Sequence, residues 1–264
     1  MKIPMPDFQQ RLLELYAEDA ARDMPFALWK MQKMTGEGEA FFLPEHGCYY
    51  VIRDKQLLFY HSPDGDCHIS VNELNQLDCI CMRSCFFDAI KERLVGFNIS
   101  YGWSLFYDVS IAMKQAEPNR YEAVDFGFTN ESNFQAAADI MNGDADGGYT
   151  SHRLRRWTTL PPFDPNLWFF VRDKELGTDV GVCISTYHKD VKETDIDWVF
   201  IRPSYQGKGA GRFMMEEVVR RSLNRSNVIR VGVGGVEAFY KRCGFREREC
   251  WGWAVRPGFR MNEQ

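Results

Sequence analysis

The stretch that most restricts the fold is Gln206-Gly207-Lys208-Gly209-Ala210-Gly211. It lies between the apolar run Trp198-Val199-Phe200-Ile201 and the helix-prone Arg212-Phe213-Met214-Met215-Glu216-Glu217-Val218-Val219-Arg220-Arg221. The order reads as strand, phosphate-sized loop and helix, with Met215, Val218, Val219 and Ser222 turned toward a sheet. Alternating glycines leave backbone N–H groups unshielded at a helix N-terminus, where aligned peptide dipoles and unpaired donors attract anions. A phosphorylated ligand is the first expectation. A P-loop is excluded, because Lys208 lies between glycines and no Ser or Thr follows it. Gly232-Val233-Gly234-Gly235 lacks the third spaced glycine of a dinucleotide fingerprint and reads as a strand end with a turn.

A chain of 264 residues suits one large domain or two of ordinary size. The polar stretch at 114–120 breaks the pattern, so the expected halves are 1–117 and 118–264. A helix is expected near 7–23, strands at 49–52 and 57–60, a helix over 84–94 and an aromatic strand over 98–108. The second half opens with a strand over 121–128, a helix capped by Asn130 and another helix over 151–158. Trp168-Phe169-Phe170-Val171-Arg172-Asp173-Lys174 echoes Tyr49-Tyr50-Val51-Ile52-Arg53-Asp54-Lys55, which points to an internal duplication or to two charged turns between aromatic strands. In the duplicated reading the first half has lost the glycine loop, since 78–83 holds no glycine.

A formal charge of -5 supplies no overall basic field, which argues against nucleic acid as a partner. The N-terminal residues carry no signal-peptide core and no apolar run is long enough for a bilayer, so the expectation is a cytoplasmic protein with no membrane partner. The eight cysteines sit mostly among apolar residues, and reduced, buried thiols are expected. Cys79, Cys81 and Cys85 with Cys67 and His68 lack metal-knuckle spacing, so no metal is expected.

Gln206, Gly209 and Gly211 match the pattern Gln/Arg-x-x-Gly-x-Gly/Ala, which resembles the acetyl-CoA pyrophosphate loop of the GNAT N-acyltransferase superfamily. Glu237-Ala238-Phe239-Tyr240-Lys241-Arg242-Cys243-Gly244-Phe245 is similar to the family's later Tyr-x-x-x-Gly-Phe element. The resemblance is specific over 194–245 and extends back to about 120, and Pro161-Pro162-Phe163-Asp164-Pro165 resembles two-lobed GNAT proteins similar to mycothiol synthase. It implies an α/β (α+β) fold: a mixed, mostly antiparallel GNAT-type sheet flanked by helices, after an N-terminal lobe that is itself a degenerate repeat or an unrelated α/β unit.

The resemblance also implies acetyl-CoA as cosubstrate and a primary amine as acceptor, joined by direct attack in a ternary complex. Pyrophosphate is expected on the amides of Gln206, Gly207, Lys208, Gly209, Ala210 and Gly211, with Lys208 and Arg212 as nearby cations, each dipole or charge contribution being about 0.3–1 kcal/mol. Val199 and Ile201 occupy the family's splayed-strand positions, whose backbone holds the pantetheine arm, and Tyr240 matches the general acid. Glu193, Asp195 and Asp197 share strand parity with Val199 and Ile201; Asp195 or Asp197 is the expected base, or the row only attracts a cationic amine. His188 and Tyr187 are lesser candidates. Where many relatives carry an Asn before the tyrosine helix, this chain has Gly234-Gly235-Val236-Glu237. The competing reading is an acyl-CoA sensor or partner-binding protein that binds CoA without chemistry; an aminoacyl-tRNA-dependent transferase fits the intact loop less well. Monomer and homodimer are both open.

Overall fold

The computed structural model describes residues 1–108, 120–143 and 148–259. They divide into two compact units. Unit 1 takes the described residues of Met1–Leu105, Gly232–Glu237 and 247–259; unit 2 takes those of Phe106–Val231 and Ala238–Arg246. The boundary expected between 117 and 118 falls outside the described residues. A late piece of the second half is counted with the first unit.

Unit 2 begins with strand β7 (Tyr121–Asp125) and helices α5 (Glu131–Asn142) and α6 (Ser151–Trp157). Asn130 caps α5 by accepting from the Ser132 N–H, and Thr150 caps α6 by accepting from the Arg153 N–H, as short polar side chains do at a first turn. Strands β8 (Phe163–Asp173), β9 (Thr178–His188) and β10 (Glu193–Ile201) follow, then α7 (Ala210–Ser222), β11 (Val228–Val233) and α8 (Glu237–Arg242). The strands β7, β8, β9 and β10 run antiparallel in that order, and β11 joins β10 in parallel. Alternation sorts the side chains: Trp168, Phe170, Val182 and Ile184 pack with Phe134, Ile140 and Leu154 of α5 and α6, together with Trp198 and Phe200. The opposite face meets α7, which buries Met214, Met215, Val218 and Val219.

Gly181 is where that second face needs an absent side chain. A Cβ there would fall on the Ile201 Cδ1, 2.7 Å from the Met214 Cε and 2.8 Å from the Phe200 carbonyl. Backbone cannot step aside as a flexible side chain can, so Gly181→Ala is expected to lower unfolding free energy by about 1–3 kcal/mol. The shift of the urea midpoint measures it; an unchanged midpoint would show that β9 and β10 have slack.

Unit 1 has the same element order: β1 (Lys2–Ile3), α1 (Met5–Glu18), α2 (Leu28–Gly36), β2 (Glu39–Leu43), β3 (Cys48–Arg53), β4 (Gln56–His61), α3 (Val71–Leu74), β5 (Cys79–Arg83), α4 (Ser84–Ile90), a 3₁₀ turn at Lys91–Arg93, and β6 (Asn98–Tyr107). Strands β1 to β4 are antiparallel neighbours, and β5 joins β4 in parallel, as β11 joins β10. The last strand of the chain, β12 (Phe245–Val255), pairs through Trp251 to Val255 with β5. The core of unit 1 gathers Leu57, Tyr60, Ile80, Met82, Phe86 and Phe87.

The two units share this element order, in a different register from the sequence echo. By element order β3 corresponds to β9 and β2 to β8, so the echo between 49–55 and 168–174 is one strand out. The unexpected strand was β2, whose five residues carry no turn signal of their own. The same shift moves the counterpart of the glycine loop: it precedes α3, at residues 62–70, and not α4 at 78–83. Cys79 and Cys81 are buried in β5.

Candidate active site

The loop 206–211 joins β10 to α7 by way of a 3₁₀ turn at Pro203–Tyr205. Gly207 and Gly209 have φ of 73° and 91°, a left-handed backbone that costs glycine little and other residues about 1–2 kcal/mol. None of the N–H groups of Gly209, Ala210, Gly211 and Arg212 is hydrogen-bonded within the described residues. The first helix bond beyond them runs from the Phe213 N–H to the Gly209 carbonyl, at 3.0 Å. Four consecutive donors thus stand unpaired at the N-terminus of a 13-residue helix. A Cβ added at Gly207 would meet nothing within 4 Å, so the loop is open on that side. This donor set fits a pyrophosphate. The loop is pinned from behind, where the Tyr121 hydroxyl donates to the Lys208 carbonyl at 3.1 Å.

Each of the loop's two side-chain cations has a neighbour of its own. Arg212 donates to Glu216 at 2.8 Å, one turn along α7, and is exposed. The Lys208 ammonium lies 5.6 Å from the Tyr205 ring centroid. Gln206 donates to the Ile201 carbonyl at 3.3 Å, which ties the loop to the end of β10.

The strand before the loop separates from its neighbour. Parallel pairing of β10 with β11 covers only Glu193 to Asp195, opposite Val228 to Arg230. Beyond Asp195, β10 keeps its β9 partners, with Val199 opposite Cys183 and Ile201 opposite Gly181. On the β11 side, among the described residues, the backbone of 196–201, which includes Val199 and Ile201, therefore pairs with no strand.

A β-bulge at Asp197 corrects the parity argument for the acids. The register slips between Ile196, opposite Ser185, and Trp198, opposite Ile184. One extra residue reverses which face the following side chains take. Asp195, opposite Thr186, therefore shares the face of Trp198 and Phe200, toward α5 and α6, while Val199 and Ile201 face α7. Asp195 is 5% exposed. Asp197 accepts from the Thr186 hydroxyl at 3.1 Å, on the same side. Glu193 and Arg230, both about 1% exposed, form an ion pair at 3.6 Å, which marks Glu193 as structural. Tyr187 donates to the Arg225 carbonyl at 2.8 Å under the Arg225 guanidinium, also a structural arrangement. Burial pushes His188 below the usual imidazole range.

Tyr240 comes from α8. Its ring stands edge-on to Phe239 and Phe245, at 5.0 and 5.8 Å, and the residue is 8% exposed. The hydroxyl has no hydrogen-bond partner among the described residues. Burial pushes its pKa up to about 12, with smaller contributions from Cys183 and Cys243 nearby. Because Cys183 is the residue opposite Val199, Tyr240 lies on the α7 face beside the separated strand. Gly211 brings the loop to the same place: a Cβ there would come within 3.3 Å of the Phe239 ring. The sequence did not flag Phe239, Thr186 or the bulge. Phe239 alone carried a signal, as the aromatic next to Tyr240.

Among the described residues the close group of potential metal ligands is His46, Asp64 and His68 in unit 1, and it includes none of the cysteines. No helix of the described residues is long and apolar enough to cross a membrane.

Residues 165–247 match the family model described as an acetyltransferase (GNAT) domain. That matched segment, which holds the glycine loop and Tyr240, is a GNAT acetyltransferase domain, of the class of enzyme that moves an acyl group from acetyl-CoA. Among solved structures, the chain is similar to the GCN5-related N-acetyltransferase from Sphaerobacter thermophilus, with 17% identity and a TM-score of 0.62 over 85% of this chain and 82% of that one. A GNAT-family acetyltransferase from Colwellia psychrerythraea shares 11% identity and a TM-score of 0.60, over 97% of this chain and 99% of the other. A tandem GNAT protein from the clavulanic acid biosynthesis pathway matches over 99% of both chains at 12% identity and a TM-score of 0.59. At these identities the likeness is one of fold. No curated protein matches the sequence.

Proposed function

We propose that the chain acetylates a primary amine by direct attack within a ternary complex of enzyme, acetyl-CoA and acceptor. The observation that carries this reading is the joint placement of four unpaired amides at the head of α7, the separated strand at Val199 and Ile201, and the free hydroxyl of Tyr240. Acetyl-CoA supplies an activated thioester. The loop amides hold its pyrophosphate, with the backbone doing most of the positioning. An N–H of the separated strand near Val199 faces the thioester oxygen, a preorganised donor worth about 2.7–4 kcal/mol in such sites.

The two faces of β10 divide the remaining work. Tyr240 protonates the departing sulfur on the α7 face. Asp195 and Asp197 stand on the α5 and α6 face, so the acceptor amine approaches there and gives up its proton to one of them, directly or through water. The acids also favour a cationic amine at that entrance.

The test follows release of free thiol from acetyl-CoA across a panel of small amines, peptide N-termini and protein lysines. Transfer to at least one of these classes is expected. In Asp195→Asn or Asp197→Asn, whichever is the base, kcat is expected to fall about 100-fold with the KM for acetyl-CoA little changed. Tight CoA binding with no transfer to any amine would overturn the reading in favour of a sensor.

A further inference from the structure

Unit 1 repeats the element order of unit 2, but its own wedge is built for different chemistry. Parallel pairing of β4 with β5 covers only Gln56 opposite Cys79 and Leu57 opposite Ile80. From there the strands run on to His61 and Arg83. In the loop that follows β4, the Asp66, His68 and Ser70 N–H groups are taken by Asp64, by the Tyr60 hydroxyl and by Glu73. The Asp64 carboxylate occupies it, accepting from the Ser62 hydroxyl at 2.5 Å, the Asp66 N–H at 3.0 Å and the His68 Nε2 at 2.8 Å. Helix α3 has four residues, and a Ser70–Glu73 capping box closes its N-terminus. Among the described residues no long helix stands behind this loop as the 13-residue α7 stands behind 206–211.

A cavity of about 240 Å³ lies at the strand ends, bounded by Arg11, Glu18, Arg22, His61, Ser62 and Arg83 over the turn that holds Pro63 and Gly65. Three guanidinium groups and the Glu18 carboxylate stand in this lining. Carboxylates hold all three guanidinium groups: Arg11 Nη1 lies 3.0 Å from Glu14 and 3.6 Å from Glu18, Arg22 Nε 3.0 Å from Asp23 and Nη2 2.9 Å from Glu18, and Arg83 Nε 2.8 Å from Glu249. A guanidinium has five N–H donors, so each retains others after these bonds, already oriented by its carboxylate. His61 is 6% exposed, and its Nδ1 lies 3.0 Å from the Asp23 Oδ2. Burial works to raise the pKa of Asp23, but hydrogen bonds from His61 and Arg22, with their charges, hold it below the usual carboxylate range. An ionised Asp23 fixes the Nδ1–H tautomer, which leaves Nε2 as the ring's second polar atom, without a partner among the described residues.

We propose that this cavity is a second ligand site, for a compact oxyanion of the phosphate or carboxylate class. Fork-shaped, preoriented guanidinium groups match the planar or tetrahedral oxygens of such anions, which accept paired N–H bonds. The size restricts the occupant: the volume is below the roughly 300–1,000 Å³ of sites for drug-sized ligands, so a free phosphate, a small phosphomonoester or a dicarboxylate fits and a nucleotide does not. The Nε2 atom of His61 then meets a hydroxyl or protonated oxygen of the same ligand. This site is independent of the acetyl-transfer reading, since every residue in it belongs to unit 1.

The test is calorimetric titration of the full chain with inorganic phosphate and, separately, with malonate, each run with and without CoA present to fill the glycine loop. Imidazole ¹⁵N spectra, assigned with His61→Gln, are recorded alongside. Saturable binding that persists with CoA, moves the His61 resonances and weakens about tenfold or more in Arg22→Gln or Arg83→Gln is expected. Response to one anion alone identifies its class. Absence of saturable binding by both anions, or binding unaltered in both arginine variants, would overturn the proposal. Arg11→Gln serves in place of any variant whose circular dichroism shows a lost fold.

Discussion

Tyr240→Phe is expected to lower the turnover of acetyl-CoA about 100-fold, with the KM for acetyl-CoA within about twofold of the parent. The substitution removes one oxygen and leaves the ring, so the edge contacts to Phe239 and Phe245 persist and α8 stays in place. What disappears is a hydroxyl with no internal partner, beside the strand residue opposite Val199. A phenol raised to about 12 is a weak acid in water, yet its surroundings weaken thiols equally. Burial lifts Cys183 to about 12 and Cys243 to about 11. A thiolate formed in that setting is desolvated too, which matches it to Tyr240 as a proton acceptor. The pH profile supplies a second readout. A raised pKa keeps the phenol protonated below it, so Tyr240 imposes no alkaline limb until the pH approaches about 12. Unchanged turnover in the Phe variant would remove Tyr240 from the mechanism.

The largest expected stability effect is Phe126→Ala, about 3–5 kcal/mol. Phe126 is 0% exposed. Its ring stacks on Phe128 at 4.9 Å and on Phe170 at 5.1 Å, and meets the edges of Phe134 at 5.0 Å and Trp168 at 5.3 Å. These neighbours come from the segment after β7, from β8 and from α5, so one truncation loosens the sheet and a helix together. The turn beside it is anchored separately, since the Asn133 side chain donates to the Phe126 carbonyl at 2.6 Å. The backbone is thus held while the ring is lost, which favours an unfilled cavity over collapse. Against total stabilities of about 5–15 kcal/mol, a loss of this size is a large share of what holds a domain folded. Denaturant titration of the variant measures it. A change under about 1 kcal/mol would mean that the surrounding aromatics repack into the space.

The glycine loop, its helix and Tyr240 were legible because each depends on local chemistry: backbone freedom at Gly207 and Gly209, an apolar stripe on α7, and a short tyrosine helix ending at Gly244. Features made by pairing between distant segments were not. The bulge at Asp197 has no residue signature, and it places Asp195 on the opposite face from Val199, where a period of two gave the same face. Helix α2 carries no local start signal because no side chain caps it, and strand β2 carries none because its short run Glu39–Leu43 lacks strict apolar–polar alternation. Leaving β2 out shifted the internal repeat by one strand and assigned the lost loop to 78–83. The Asp23–His61 pair joins residues 38 apart in sequence, and nothing local marks either partner.

The assignment of 232–237 and 247–259 to unit 1 has a consequence for biosynthesis. When the first 105 residues have left the ribosome, β5 still lacks its partner Trp251 to Val255, and an open strand edge waits through the synthesis of nearly the whole second half. Unit 1 therefore finishes last although it is made first. A release of the chain before residue 251 leaves that edge exposed, so premature termination products of this protein are expected to be chaperone clients or aggregates rather than free-standing N-terminal domains.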